Sequence, residues 1–160
     1  MASVSELLDR FVQLFNDNRI EEEEQDFAPG GYSEEVGTGR RFTPPEGSAN
    51  ARAWKQAFPD AQGTITRKMI DGTNGVAEIV WRGTNSGSLM GQPATGKSVN
   101  IRAVLVIETN GSAITRASHY LDLAGMMAQL GATSGAAAGR LANQWMGLGS
   151  IPRPISGQLL

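Results

Sequence analysis

Between Val4 and Phe15 the apolar residues Val4, Leu7, Leu8, Phe11, Val12, Leu14 and Phe15 recur every three to four positions, the spacing that gathers them on one face of a helix, with Ser3 or Ser5 as its N-cap. The run EEEEQDF, Glu21 to Phe27, predicts a solvated second helix that ends before Pro29-Gly30-Gly31. Tyr32 to Gly47 is interrupted by Gly37, Gly39, Pro44 and Pro45 and reads as a mostly irregular loop able to cover something. Helical spacing returns in SANARAWKQAF, Ser48 to Phe58, until Pro59-Asp60 stops it. The period then changes. ITRKMI, VAEIVWRG, VNIRAVLVIE and AITRASHYLD largely alternate and are rich in β-branched residues, with DGTNG and TNG as turn signals, so four antiparallel strands are expected. After Asp122, LAGMMAQLG predicts a short helix closed by Gly131. The chain thus divides into one domain, 1–131, and a Gly/Pro-rich tail, 132–160, with one short helix around Leu141 to Met146 and Trp145 as a candidate anchor.

Composition narrows the chemistry. A net charge of −2, with Lys and Arg scattered, gives no electrostatic footprint for nucleic acid. The absence of cysteine removes disulfides and thiolate catalysis, and a single histidine argues against a histidine-rich metal site. The first residues lack the apolar core of a signal peptide and no run reaches membrane-spanning length, so a soluble, cytoplasmic protein without membrane contact is expected. GQPATGKS, Gly91 to Ser98, satisfies the phosphate-loop pattern G-x-x-x-x-G-K-[ST], but that loop works only between a strand and a helix. Here VNIRAVLVIE follows with a strand period and Pro93 removes a backbone donor, so a long hairpin connection is the expectation.

Three helices, a strand-rich second half and a short closing helix predict an α+β fold in which a curved, mostly antiparallel sheet wraps around helices. The order of Phe58-Pro59-Asp60, Arg82-Gly83-Thr84-Asn85-Ser86-Gly87, Pro93-Ala94-Thr95-Gly96-Lys97 and the segment Asp122 to Gly131 resembles the SnoaL-like polyketide cyclase family of the cone-shaped nuclear-transport-factor-2-like superfamily, across residues 3 to 131. That resemblance implies a deep pocket between the concave sheet and the N-terminal helices. It also implies ring closure by intramolecular aldol condensation without metal or cofactor, an aspartate at the Asp122 position acting as acid/base, and a homodimer paired through the outer face of the sheet. The family often carries a histidine where this chain has Asn85, so the chain departs from it there.

Asp122 and His119 are the candidate catalytic residues. A carboxylate at the end of an inward strand loses solvation and can take a proton from a C–H flanked by carbonyls, while the same aspartate can simply cap the following helix. His119 suits proton shuttling or is a satisfied structural imidazole. Alternation puts Ile114, Arg116, Ser118, Tyr120 and Asp122 on one face and Ala117, His119 and Leu121 on the other, so His119 and Asp122 do not both face a pocket without a bulge or a strand end. Tyr32, Trp54 and Trp81 are candidates to line a cavity for flat rings, with Asn85, Asn100, Arg102 and Tyr120 as polar groups to steady an enolate. Arg102 can equally pair with Glu108 or Glu78 on the sheet surface. The first functional reading is a cofactor-independent cyclase or isomerase acting on a hydrophobic, polycarbonyl aromatic small molecule. A non-catalytic binding or dimeric assembly module, and a small-molecule hydrolase, are the alternatives on the same fold.

Overall fold

The computed structural model describes residues 2–131, so the expected tail helix and Trp145 lie outside it. Helix α1, Val4–Asn16, opens with a reciprocal cap in which the Glu6 N–H donates to Ser3 Oγ at 3.2 Å and the Ser3 N–H donates to Glu6 Oε2 at 2.6 Å. Its buried Leu7, Leu8 and Val12 pack on Ala77, Ile79, Ala103, Leu105 and Ile107 of the sheet. Each of the leucines so covered is worth about 1.5–3 kcal/mol.

The acidic run is a 3-10 helix, Ile20–Asp26, rather than a solvated α-helix. It behaves as a strap. Ile20 is fully buried, Arg10 Nε of α1 donates to both carboxylate oxygens of Asp26 at 2.8 and 3.0 Å, and Glu21 pairs with Arg52 of the next helix. The stretch read as an irregular loop supplies two further strands, β1, Phe27–Glu35, and β2, Arg40–Phe42, paired antiparallel. Pro29, Gly30 and Gly31 conceal β1 by resembling breakers, whereas they sit in an irregularity between Phe27 and Tyr32. Gly31 is required there because a Cβ on it would lie 2.7 Å from the Ile114 carbonyl oxygen of the neighbouring strand. Helix α2 runs Pro44–Ala57, starting four residues before the expected Ser48. Thr43 and Glu46 form its capping box, and the two prolines occupy the first turn, where no backbone donor is needed.

The four predicted strands are present as β3, Gln62–Asp71, β4, Asn74–Thr84, β5, Ser98–Thr109, and β6, Ile114–Leu121, followed by α3, Leu123–Gln129. All six strands form one sheet in the order β2-β1-β6-β5-β4-β3, antiparallel except for the parallel β1–β6 pair. The sheet's inner face is covered by α1 at one end, in a core that includes Leu105 and Ile107, and by Phe58, Val99, Ile101, Met126 and Leu130 in a second core at the other.

No helix follows Lys97: β5 begins at Ser98, and the phosphate-loop look-alike is part of the β4–β5 connection. Asn85 holds this connection. Its Nδ2 donates to the carbonyls of Gly87 at 2.9 Å and Ala57 at 3.2 Å, and its Oδ1 accepts from the Thr95 N–H at 2.8 Å and the Thr95 hydroxyl at 3.0 Å. All four bonding positions of the amide are therefore used, within a side chain that is 1% exposed. Asn85→Ala strips several buried partners at once and is expected to cost about 2–4 kcal/mol of stability, read as a lowered urea midpoint.

Candidate functional site

The two cores do not meet across the whole concave face, and between them lies a cavity of about 130 Å³. Cavities of this order, about 150 Å³, hold one benzene-sized ring. Trp81 and Leu121 touch both cores and so form the wall between them. Rings dominate the lining: Phe11 and Phe15 from α1, Phe42 from β2, Trp54 from α2, Phe58 just beyond it and Trp81 from β4. Phe15 meets Trp81 edge to face at 4.8 Å, and Trp54 stacks with Phe58 at 6.0 Å between centroids.

Five ionisable residues are part of the lining, of which Glu34 is paired with Arg116 and Arg41, and Arg82 is exposed, leaving His119, Glu23 and Glu35. His119 reaches it from β6 and packs edge to face with Phe11 at 6.0 Å and Trp81 at 6.4 Å. Burial pushes its imidazole down from the ordinary 6.5 to about 4, so it is uncharged at neutral pH. Glu23 enters from the strap. It is half-buried. Burial, and then the charges of Asp26 and Glu24, push its carboxyl up to about 8. Glu35 comes from β1, where it is paired in register with His119 on the inner face. Asn50 Nδ2 donates to Glu35 Oε1 at 2.8 Å, Trp54 Nε1 donates to the same oxygen at 3.4 Å, and the Thr38 hydroxyl donates to Oε2 at 3.4 Å. Among the described residues, Trp81 Nε1 and His119 Nε2 are the buried side-chain polar atoms without a hydrogen-bond partner.

Of the sequence-predicted residues, His119, Trp54 and Trp81 line the cavity together. Asp122 does not. Its carboxylate is exposed and accepts the Gly125 N–H at 2.8 Å, capping α3, so the capping alternative describes its position. Alternation gave His119 and Asp122 opposite faces, and the inner face is the one with His119. Asn85 is spent on the β4–β5 connection and cannot offer its amide to a ligand. Tyr32 is outside the lining and stacks under Arg41 at 4.9 Å, and Tyr120 is 44% exposed. Asn100 and Arg102 are exposed on β5, alternating with the inward Val99, Ile101 and Ala103. Glu78 and Glu108, offered as partners for Arg102, pair instead with Arg67 and Arg116.

Glu23 and Glu35 went unread in the sequence. A signal for Glu23 existed: residues three apart eclipse in a 3-10 helix, so burying Ile20 brings Glu23 and Asp26 to the same side. Glu35 lacked one, because its strand was hidden by glycine and proline. Among the described residues no group of three or more His, Asp or Glu is arranged to hold a metal ion, and no helix is long and apolar enough to cross a membrane.

The profile of the SnoaL-like polyketide cyclase family matches residues 5–130. The chain belongs to that family. No curated protein matches it. Among solved structures, IdmH of Streptomyces antibioticus, provisionally described as a polyketide cyclase, is similar at 22% identity and a TM-score of 0.72, over 81% of this chain and 99% of that one. AclR of Streptomyces galilaeus, provisionally described as a hydroxylase, is similar at 17% identity and a TM-score of 0.72, over 82% and 100%. A protein of ketosteroid isomerase-like fold from Catenulispora acidiphila is similar at 18% identity and a TM-score of 0.69, over 81% and 95%. At these identities the likeness concerns the fold, a curved open sheet with helices in its concavity.

Because the chain has one histidine, its titration is directly legible by NMR, and the His119 ring is expected to protonate near pH 4. With its folded pKa below the unfolded value, His119 makes stability fall as pH drops from about 6.5 toward 4. Glu23 has the opposite sign: its folded pKa is raised, so stability is full below about 4.5 and declines as pH rises toward 8. Glu23→Gln should therefore raise the Tm at pH 8 more than at pH 5; equal shifts at both would contradict the raised pKa.

Proposed function

We propose that this chain is a cofactor-free acid/base catalyst that closes or isomerises a ring in an apolar, carbonyl-rich aromatic small molecule. The observation that carries this reading is a pair of titratable groups driven in opposite directions by burial, His119 and Glu23, lining one aromatic cavity. Uncharged His119 accepts a proton from carbon flanked by two carbonyls. Protonated Glu23 donates its proton to the carbonyl oxygen under attack, so the new carbon–carbon bond leaves a hydroxyl rather than an alkoxide. Proton exchange with water then restores both groups. The rings of Phe11, Phe15, Trp54 and Trp81 hold the substrate folded, which converts ring closure into a matter of orientation. Asp122 keeps the structural task of capping α3.

The outer face of the sheet supports a homodimer. Val76, Val80, Val104 and Val106 are half-buried there beside the exposed Tyr120, on strands whose inner residues fill the core. Sedimentation at micromolar concentration should give twice the chain mass.

On a 1,3-dicarbonyl aromatic substrate, His119→Gln and Glu23→Gln are each expected to lower kcat by about 10²-fold or more. Asp122→Asn should retain most turnover, and Asp122→Ala should lose the cap at a stability cost of about 1 kcal/mol. The rate should rise with pH through about 4 and fall above about 8, because catalysis needs His119 unprotonated and Glu23 protonated. Full activity in both cavity variants, or loss only in Asp122→Asn, would return the acid/base role to Asp122.

A further inference from the structure

Glu35 is the one charged residue that is fully buried among the described residues, at 6% exposure, and its hydrogen-bond donors, Asn50, Trp54 and Thr38, are all neutral. Two other enclosed carboxylates are matched by arginines. Asp26 is matched by Arg10 at 2.8 Å, and Glu34 is matched by Arg116 at 2.8 Å and Arg41 at 3.2 Å. A carboxylate in an apolar wall without a counter-ion is costly unless something else brings the positive charge. His119, its neighbour in register, does not, since burial keeps it uncharged. The one basic side chain in the lining, Arg82, is solvent-exposed. Lys55 lies over the Phe15 ring at 4.6 Å, is absent from the lining and donates to the Ala61 carbonyl at 2.7 Å.

The rest of the lining suits a cation. Trp54 stacked on Phe58, with Trp81, Phe11 and Phe15 around the same hollow, offers electron-rich ring faces of the kind that attract ammonium groups. Phe15 already accepts one in Lys55. The buried, unpartnered ring nitrogens of Trp81 and His119 leave neutral hydrogen-bonding capacity unused in two residues of this wall.

We propose that the cavity receives an organic ammonium group carried on a flat apolar body, with Glu35 as its counter-ion and the Trp54, Phe58 and Trp81 rings as its cage. This rests on the same cavity being the substrate site, and it names a basic nitrogen as part of the substrate. Carboxylate-bearing molecules of the same shape are excluded, because their charge would oppose Glu35 with no cation inside to offset it.

Calorimetry with three probes sharing one ring separates charge from shape: benzyltrimethylammonium, benzyl alcohol and benzoate. The ammonium should bind at least tenfold more tightly than the alcohol, and benzoate should not bind. Glu35→Gln should bring the ammonium down to the affinity of the alcohol and leave the alcohol unchanged. Asn50→Lys, which supplies an internal cation to the carboxylate, should fold and lose ammonium binding as well; it decides the matter if Glu35→Gln does not fold. No measurable ammonium binding at millimolar concentration, equal affinity for the alcohol, or an unchanged ammonium affinity in both variants would overturn the proposal. The two readings fail separately. Turnover of an amine-free dicarbonyl with no ammonium preference would sink this inference and spare the catalytic one. Ammonium selectivity with undiminished turnover in Glu23→Gln and His119→Gln would do the reverse.

Discussion

The concave face of the sheet is wider than one helix can cover, and the remainder of the structure answers that constraint. Helix α1 seals the face over β3, β4 and β5 with Leu7, Leu8 and Val12, in a core that also takes in Ile114 and Ala117 of β6, and leaves most of β1 to other elements. That remaining stretch is roofed at a distance by α2 and the 3-10 strap, whose side chains touch the hollow without filling it. The hollow is therefore a product of layer geometry: it lies between two cores that Trp81 and Leu121 bridge.

Because the roof is partly a short strap, what lines the hollow is not uniformly apolar. A segment of seven residues with four consecutive acids has little to pack, and it stays in place by ion pairs: Arg10 grips Asp26 from α1 and Arg52 grips Glu21 from α2. Holding Asp26 and Glu21 this way fixes Glu23 against the cavity. Structural pairs at the surface thereby sustain an unpaired acid inside, and the same sequence run serves both ends.

Much of the architecture was legible from pattern alone. Four strands and α1 announced themselves through their periods, which are clearest in α1, β4 and β5 because each of these shows one face to a core. The strands β1 and β2 did not, since FAPGGYSEE has neither alternation nor β-branched residues and is a strand by virtue of its partner. The start of α2 was hidden in plain sight: TPPE reads as a break to a rule about proline and as a capping box to a rule about helix ends. The candidate site was legible only in part. The parity of β6 separated His119 from Asp122 without saying which of them faces inward, while Glu35 depended on an unrecognised strand. Asp122 stands where a cap and a base look alike in sequence; in the structure its carboxylate caps α3 and is outside the cavity lining.

The one parallel pair in the sheet joins segments far apart in the chain, with Glu34 and Arg116 in contact across 82 positions. Such a pairing carries a greater loop-closure cost than the hairpin β3–β4. Until β1 docks, β6 is a bare edge, open to association with other chains. The register of Glu35 against His119 is created by that same pairing, so the cavity wall is complete only once the most distant segments of the sheet have met.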